Sequence, residues 1–261
     1  MDARARELLG PPAAVAQRIG SSVSPGPSHL AACLDGGARQ TYREFPMHLT
    51  ETEFIGALVQ SKRRVRRTEV LCEAGDPFSH VYVASSGSFK SFVLTEDGRQ
   101  QVTGFYIGGE LMALDGIESE HHRVTITALE DGEVCVISFA HLEEMSSKTP
   151  HFQHQFHKLM SREIVREQGL MILLGVMRAH ERVATFLLNL AERFRARGYS
   201  GTQFNLCMTR GEIGSYLGLS LETVSRVLSH LNDQALISVK QRCIAIPDAH
   251  ALRAVIGQRA L

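Results

Sequence analysis

Between about Phe45 and Phe139, apolar and polar residues alternate in short stretches. His80-Val81-Tyr82-Val83, Ser88-Phe89-Lys90-Ser91-Phe92-Val93 and Val134-Cys135-Val136-Ile137 are the strand-like runs, with the period of two expected of half-buried strands. Glycines recur at Gly75, Gly87, Gly98 and Gly108/Gly109, in steps of 10–12 residues. Short strands punctuated at that interval predict a β-sandwich or barrel. No segment recurs as a second copy, which argues against a repeat architecture. Ahead of this region the first 40 residues are rich in Ala, Gly, Pro and Ser, as in Gly20 to Pro27. That composition predicts a flexible arm with at most one short helix.

After Phe139 the period becomes helical. Thr149 is a candidate N-cap with Pro150 at the first helical position, and the helix can run to roughly Met177. Met160, Ile164, Glu167, Met171 and Leu174 follow at 4-3-4-3 spacing, the mark of a two-helix seam. Phe156, Leu159, Leu170 and Leu173 lie beside that stripe. One face can therefore meet the barrel while the other meets a second copy; the alternative is that the stripe packs on the chain's own core.

The segment from Met208 to Leu231 reads MTRGEIGSYLGLSLETVSRVLSHL. Thr209 to Glu212 fits a capping box opening a helix to about Leu217. Gly218-Leu219-Ser220 forms a turn, with Ser220 placed to cap a second helix. In that helix Val224, Val227, Leu228 and Leu231 make an apolar stripe, and Glu222, Ser225, Arg226 and Ser229 repeat the spacing on the opposite side. A carboxylate can accept from cytosine N4, and an arginine can fork onto guanine O6 and N7. Helix, glycine-containing turn and a second helix with a polar face is the helix-turn-helix arrangement. Thr223, Arg210 and Lys240 complete the candidate DNA contacts. Lys240 belongs to Ile237–Ile246, which alternates around Lys240-Gln241-Arg242 like a basic β-wing.

Charge changes this picture in one respect. The 28 Lys and Arg balance the 28 Asp and Glu, but unevenly. Residues 1–177 carry 17 basic against 22 acidic residues, and residues 178–261 carry 11 against 6. A basic C-terminal third on an acidic body suits a nucleic-acid-binding module joined to something else. The hydrophobic share of 44% and charged share of 21% exclude wholesale disorder. The longest apolar run, Leu170 to Met177, is eight residues, short of the roughly 18 that span a bilayer. The charged N-terminus lacks the apolar core of a secretory signal. No membrane partner and a cytoplasmic location are expected. Five scattered cysteines without a C-x-x-C pair argue for a reducing compartment. No phosphate-binding loop, dinucleotide fingerprint, nucleophile elbow or zinc-protease motif is present, so no enzyme is expected. His151, His154 and His157 spread over a helix surface and make a solvated face rather than a metal site.

The stretches FKSFVLTEDGRQQVTGFYIGGELMALDGI, EVCVISF and NLCMTRGEIGSYLGLSLETVSRVLSHL together resemble the CRP/FNR family of transcription regulators, and its FNR branch above all. Glu222, Ser225 and Arg226 match the E-x-x-S-R of FNR-type recognition helices. The resemblance implies an α+β chain with four parts: an arm (1–44), a β-roll sensor domain resembling cyclic-nucleotide-binding jelly rolls (45–148), a dimerisation helix (149–178) and a winged helix-turn-helix (179–261). It further implies a homodimer on double-stranded DNA carrying TTGAT-like half-sites, and contact with RNA polymerase, for which Thr95 to Gly98 is the candidate loop. Control linked to oxygen, redox state or nitrogen oxides is the expected setting. FNR-type relatives also carry an acidic residue at the place of Glu167, where it keeps the dimer weak.

The departures concern the signal. FNR-type [4Fe–4S] binding requires three closely spaced N-terminal cysteines and one in the roll. Cys135 matches the roll cysteine, but only Cys33 precedes Phe45, so that cluster is not expected. The Arg-Ser pair that holds a cyclic phosphate in cAMP-binding relatives is replaced by His122-Arg123, so cAMP is not expected either. A Cys33–Cys135 thiol switch, a haem held by one of the 12 histidines, another small ligand acting as in CRP-like regulators, and control by abundance alone stay open.

Overall fold

The computed structural model describes residues 56–256; residues 1–44, Phe45 and Cys33 fall outside them. Eight strands come first: β1 (Ser61–Val65), β2 (Val70–Cys72), β3 (His80–Ser86), β4 (Ser88–Leu94), β5 (Gln100–Ile107), β6 (Leu111–Met112), β7 (Thr125–Ala128) and β8 (Gly132–Ser138). They form two four-stranded antiparallel sheets, ordered β1-β8-β3-β6 and β2-β7-β4-β5. The turns fall where the sequence placed them. Gly87 has φ +86°, and an added Cβ would sit 3.0 Å from the Cα of Gly132. A side chain is excluded there on both counts.

Both faces of these sheets are buried. Between them lie Val65, Leu71, Phe89, Tyr106, Met112, Ile126 and Val134. The outer face of the first sheet contributes Val81, Val83, Cys135 and Ile137 to a second cluster, with Leu142, Met145, Phe152 and Leu159. The outer face of the other sheet packs Phe92, Val102, Phe105 and Ile107 onto the C-terminal domain. Strands covered on both sides read as apolar runs rather than clean alternation, which explains Val134-Cys135-Val136-Ile137.

Helix α1 (Phe139–Lys148) covers the first sheet and is followed by α2 (Pro150–Val176), 27 residues long. Thr149 occupies the N-cap of α2 without a side-chain hydrogen bond; the fixed φ of Pro150 starts the helix instead. Phe152, Leu159 and Leu173 are buried on α2. Ile164, Val165, Met171, Ile172 and Val176 remain 56–79% exposed. Next comes α3 (Ala179–Ala196), which buries Val183, Phe186, Leu187 and Leu190. The C-terminal domain adds β9 (Gln203–Asn205), α4 (Arg210–Leu217), α5 (Leu221–Asp233), β10 (Ser238–Lys240), β11 (Cys243–Ala245) and α6 (Ala249–Ala254). Its sheet has the order β10-β11-β9.

The roll and the C-terminal domain are joined by charge as well as by apolar contact. Glu110, 8% exposed, lies in the turn between β5 and β6. Its carboxylate accepts from Arg193 Nε at 2.8 Å, from the Ile107 amide at 2.9 Å, and lies 2.9 Å from Arg197. Arg193 also donates to the Phe105 carbonyl at 2.6 Å. Lys90 meets Glu212 at 2.8 Å, and Ser215 exchanges hydrogen bonds with Val102 N and Gln100 O. Phe105, Phe186 and Tyr216 stack between them with ring centroids 5.2–6.0 Å apart.

Burial alone would push the Glu110 carboxyl up, but Arg193 and Arg197 outweigh it and hold the carboxyl below its ordinary value of 4.5. A depressed folded-state pKa contributes stability that is complete above the ordinary value and is lost as pH falls through the folded one. Glu110→Gln removes one partner of a buried pair, so it is expected to cost about 3 kcal/mol at neutral pH. Its loss of stability on acidification below pH 4.5 should also be shallower than that of the parent. Chemical denaturation across pH checks both.

Candidate DNA-binding surface, dimer seam and sensor cavity

The helix-turn-helix is set by local chemistry. Thr209 Oγ1 accepts from the Glu212 amide at 3.2 Å, and Glu212 returns a bond to the Thr209 amide at 2.6 Å. That closes the capping box of α4. Gly218 ends the helix in the left-handed conformation, with φ +63° and ψ +39°. At Gly214 a Cβ would stand 2.5 Å from the Leu219 carbonyl, so the turn can close only over a glycine. Ser220 Oγ accepts from the Thr223 amide at 3.2 Å and caps α5. Val224, Leu228 and Leu231 are 0–2% exposed and pack with Ile213, Leu217, Ile237, Ile244 and Ile246.

With that face buried, Glu222, Arg226 and Ser229 project from the other side and are exposed; Ser225 and Thr223 are half-buried. The Glu222 carboxyl is held below its usual range, first by its own backbone amide at the helix start, then by Ser220 and Arg226. It therefore remains an anion and an acceptor at neutral pH. Thr223 differs from the expectation: its hydroxyl lies 3.0 Å from Ser220 Oγ, so it serves the cap before it can serve a base. Arg210 is half-buried in the first turn of α4. Lys240 and Arg242 are exposed around Gln241, whose φ of +57° makes the wing turn. The third wing strand, β9, pairs Phe204 with Ile244. It is three residues long, too short to show a period.

On α2 the five expected seam positions divide. Ile164 and Met171 are exposed, Met160 is half-buried, and Leu174 packs partly on the C-terminal core. Val165, Ile172 and Val176, not singled out by the heptad spacing, extend the exposed apolar surface. The Glu167 side chain is 51% exposed and lies 3.8 Å from Arg166 of its own chain. Arg166 is engaged inward: it meets Glu163 at 2.6 Å and stands 4.9 Å above the Tyr106 ring.

Inside the roll, a cavity of about 310 Å³ is lined by Ser91, Thr103, Tyr106, Asp115, Glu163, Arg166 and Glu167, among others. Asp115 accepts from the amides of Arg123 and Val124 at 2.6 and 3.0 Å, and pairs with His122 at 3.3 Å. The Arg123 side chain points elsewhere; it is 63% exposed and paired with Glu118. Cys135 is fully buried in β8, and burial pushes its thiol up; Cys72 is pushed up to about 12. His154 and His157 are exposed and His151 half-buried, and no group of three or more potential ligands among the described residues is placed to hold a metal. No helix among the described residues is long and apolar enough to cross a membrane.

Residues 62–149 match the cyclic nucleotide-binding domain, and residues 181–255 match the Crp-like helix-turn-helix domain. The chain is 41% identical over 236 residues to the transcriptional regulatory protein Btr of Bordetella pertussis, covering 90% of this chain and 96% of that one. It is 43% identical over 214 residues to the transcriptional activator protein Anr of Pseudomonas aeruginosa, covering 81% and 88%. The solved structure of FixK2 from Bradyrhizobium japonicum superimposes with a TM-score of 0.69 at 31% identity, covering 77% of this chain and 98% of that one. With the roll, the long helix and the winged helix-turn-helix in place, the chain belongs to the CRP/FNR family of transcription regulators, DNA-binding proteins that act as dimers and are not enzymes.

Proposed function

We propose that this regulator binds palindromic TTGAT-like sites as a homodimer, with Glu222, Ser225 and Arg226 reading base edges. The observation that carries this reading is the exposed Glu222–Arg226–Ser229 face of α5, opposite a stripe that is 0–2% exposed. The buried stripe fixes which side faces outward, and the outward side carries base-edge chemistry. Ser229, Arg210 and Lys240 supply further contacts, with Thr223 second to its capping role. The exposed apolar surface of α2 around Ile164, Met171 and Val176 supports its use as the seam. Thr95 to Gly98 forms an exposed turn closed by a 2.8 Å bond from the Gly98 amide to the Thr95 carbonyl, and it is the proposed polymerase contact. The cytoplasm is the proposed location.

For the signal, we propose neither cAMP nor an FNR-type cluster. The roll cavity carries the carboxylates of Asp115, Glu163 and Glu167 against the single guanidinium of Arg166, a poor setting for a cyclic phosphate. Cys135 is buried with a raised thiol pKa, the opposite of a ready thiolate ligand. An oxygen-, redox- or nitrogen-oxide-linked signal is the proposed setting. A visible spectrum of protein purified without oxygen separates a haem from an Fe–S cluster.

Arg226→Ala should weaken binding to a TTGAT-N4-ATCAA duplex by about 1–3 kcal/mol and erase its preference over a scrambled duplex, leaving the dimer intact. Gel-shift titrations on both duplexes check this; retained preference would remove Arg226 from the reading face, and equal affinity of the parent for both duplexes would overturn the proposed site. Across a two-fold seam, each Glu167 faces its own copy, and like charges repel. Glu167→Ala should tighten the dimer at neutral pH by a factor of about three, the scale of a partly exposed charge contact. Sedimentation equilibrium of the two proteins is the measurement.

A further inference from the structure

Helix α2 ends at Val176 and α3 begins at Ala179. Met177 and Arg178 join them, both with extended backbone. Each residue of such a joint has two soft dihedrals, so the joint alone does not set the angle between the two helices. Arg182, in the first turn of α3, folds its side chain back across it. Its Nε donates to the Met177 carbonyl at 2.8 Å, and its Nη2 to the Leu174 carbonyl in the last turn of α2 at 2.7 Å. Its Nη1 donates to the Leu217 carbonyl, at the end of α4, at 2.9 Å.

The last carbonyls of a helix have no partner within it and form its negative end. Neither α2 nor α4 carries a basic residue in its own last turn. Arg182 supplies the cation to both, and none of these three partners is a carboxylate. A guanidinium is a rigid plane whose N–H groups point in set directions. Bonding three carbonyls from three segments therefore fixes those segments relative to one another. The approach is close. A Cβ at Gly218, the residue after Leu217, would stand 3.3 Å from Arg182 Nη1 and 3.6 Å from Leu174 Cδ2. The end of α2 thus meets the helix-turn-helix at the glycine that starts its turn.

We propose that Arg182 is a positioning residue for DNA binding. By tying the end of α2, the joint and the end of α4 to one guanidinium, it fixes the direction in which the helix-turn-helix points from the long helix. It thereby sets the half-site spacing that the dimer accepts, without touching a base. The spacing part rests on the homodimer and the site proposed above; the tie itself does not. In a two-fold dimer, half-site spacing follows from the separation of the two recognition helices. One added base pair moves a half-site by about 3.4 Å and turns it by about 34°, so a firmly held pair of reading helices discriminates against it.

The test compares the parent with Arg182→Lys, which keeps the charge but gathers its donors on one nitrogen, and with Arg182→Met, which removes both. Gel-shift titrations use TTGAT-N4-ATCAA, the same duplex with an N5 spacer, and a duplex with a single TTGAT half-site. The parent should prefer N4 over N5. In both variants that preference should fall about tenfold, the scale of one charge-assisted hydrogen bond, while half-site affinity is unchanged. An unchanged N4-to-N5 ratio in Arg182→Lys overturns the proposal, as does equal weakening on all three duplexes, which simple destabilisation gives. Native-state hydrogen exchange of the full chain tests the tie without DNA. The amides of Met177 and Leu219, which donate to Leu173 and Gly214, should both exchange about tenfold faster in Arg182→Lys, with those of β3 and β8 unchanged. Faster exchange at Met177 alone overturns the tie to α4. A parent with no preference for TTGAT-N4-ATCAA over a scrambled duplex overturns the proposed site instead, and the exchange result still decides whether Arg182 holds the joint.

Discussion

A carboxylate taken out of water has to be answered by positive charge within hydrogen-bonding reach, and Glu110 is answered by Arg193 in the last turn of α3 and by Arg197 at its C-cap. Arg193 and Arg197 reach it across 83 and 87 residues of sequence. Neither domain can withdraw without stranding a buried charge. The apolar layer of Phe105, Phe186 and Tyr216 makes the domains adhere, but such contact is non-directional. The forked ion pair supplies direction, because it closes in one relative position of the two domains. Lys90–Glu212 adds a second fixed point on α4. Glu212 is also the acid of the capping box, so the first helix of the helix-turn-helix is anchored to the roll through the residue that starts it.

Orientation of the DNA-reading face then follows by packing. The stripe Val224–Leu228–Leu231 locks α5 against α4 and the wing, and the close approach at Gly214 fixes the turn between the helices. Glu222 and Arg226 face outward because Val224, Leu228 and Leu231 take the opposite face into the core. On α2 the division is similar. Leu159 and Leu173 hold it to its own chain, leaving the Ile164–Met171–Val176 surface for a second copy. Arg166, turned inward onto Tyr106 and Glu163, lines the roll cavity.

Much of this was legible in the sequence where the determinants are local. The capping box at Thr209, the turn glycine at Gly218, the cap at Ser220 and the stripe of α5 lie within about two dozen residues of one another, and each has its own spacing rule. The start of α2 at Pro150 was legible for the same reason. What escaped depends on contacts between distant residues. Glu110 and Arg193 look like ordinary surface charges until the fold brings them together. Leu174 fits the heptad spacing, yet it packs partly inward because the C-terminal core lies beside it. Thr223 looks like a reading residue because its side and its spacing are right; its hydroxyl is held near Ser220 by a rotamer that spacing cannot reveal.

The Glu110–Arg193–Arg197 tie makes the roll and α3 one cooperative unit. Native-state hydrogen exchange of the parent and of Arg193→Gln tests it most directly. In the parent, amides of β5 near Phe105–Ile107 and of α3 near Leu187–Leu190 should open with the same free energy. In Arg193→Gln the two sets should separate, with α3 opening first. Equal opening energies retained in the variant, or separate ones already present in the parent, would mean that the ion pair does not couple the two elements.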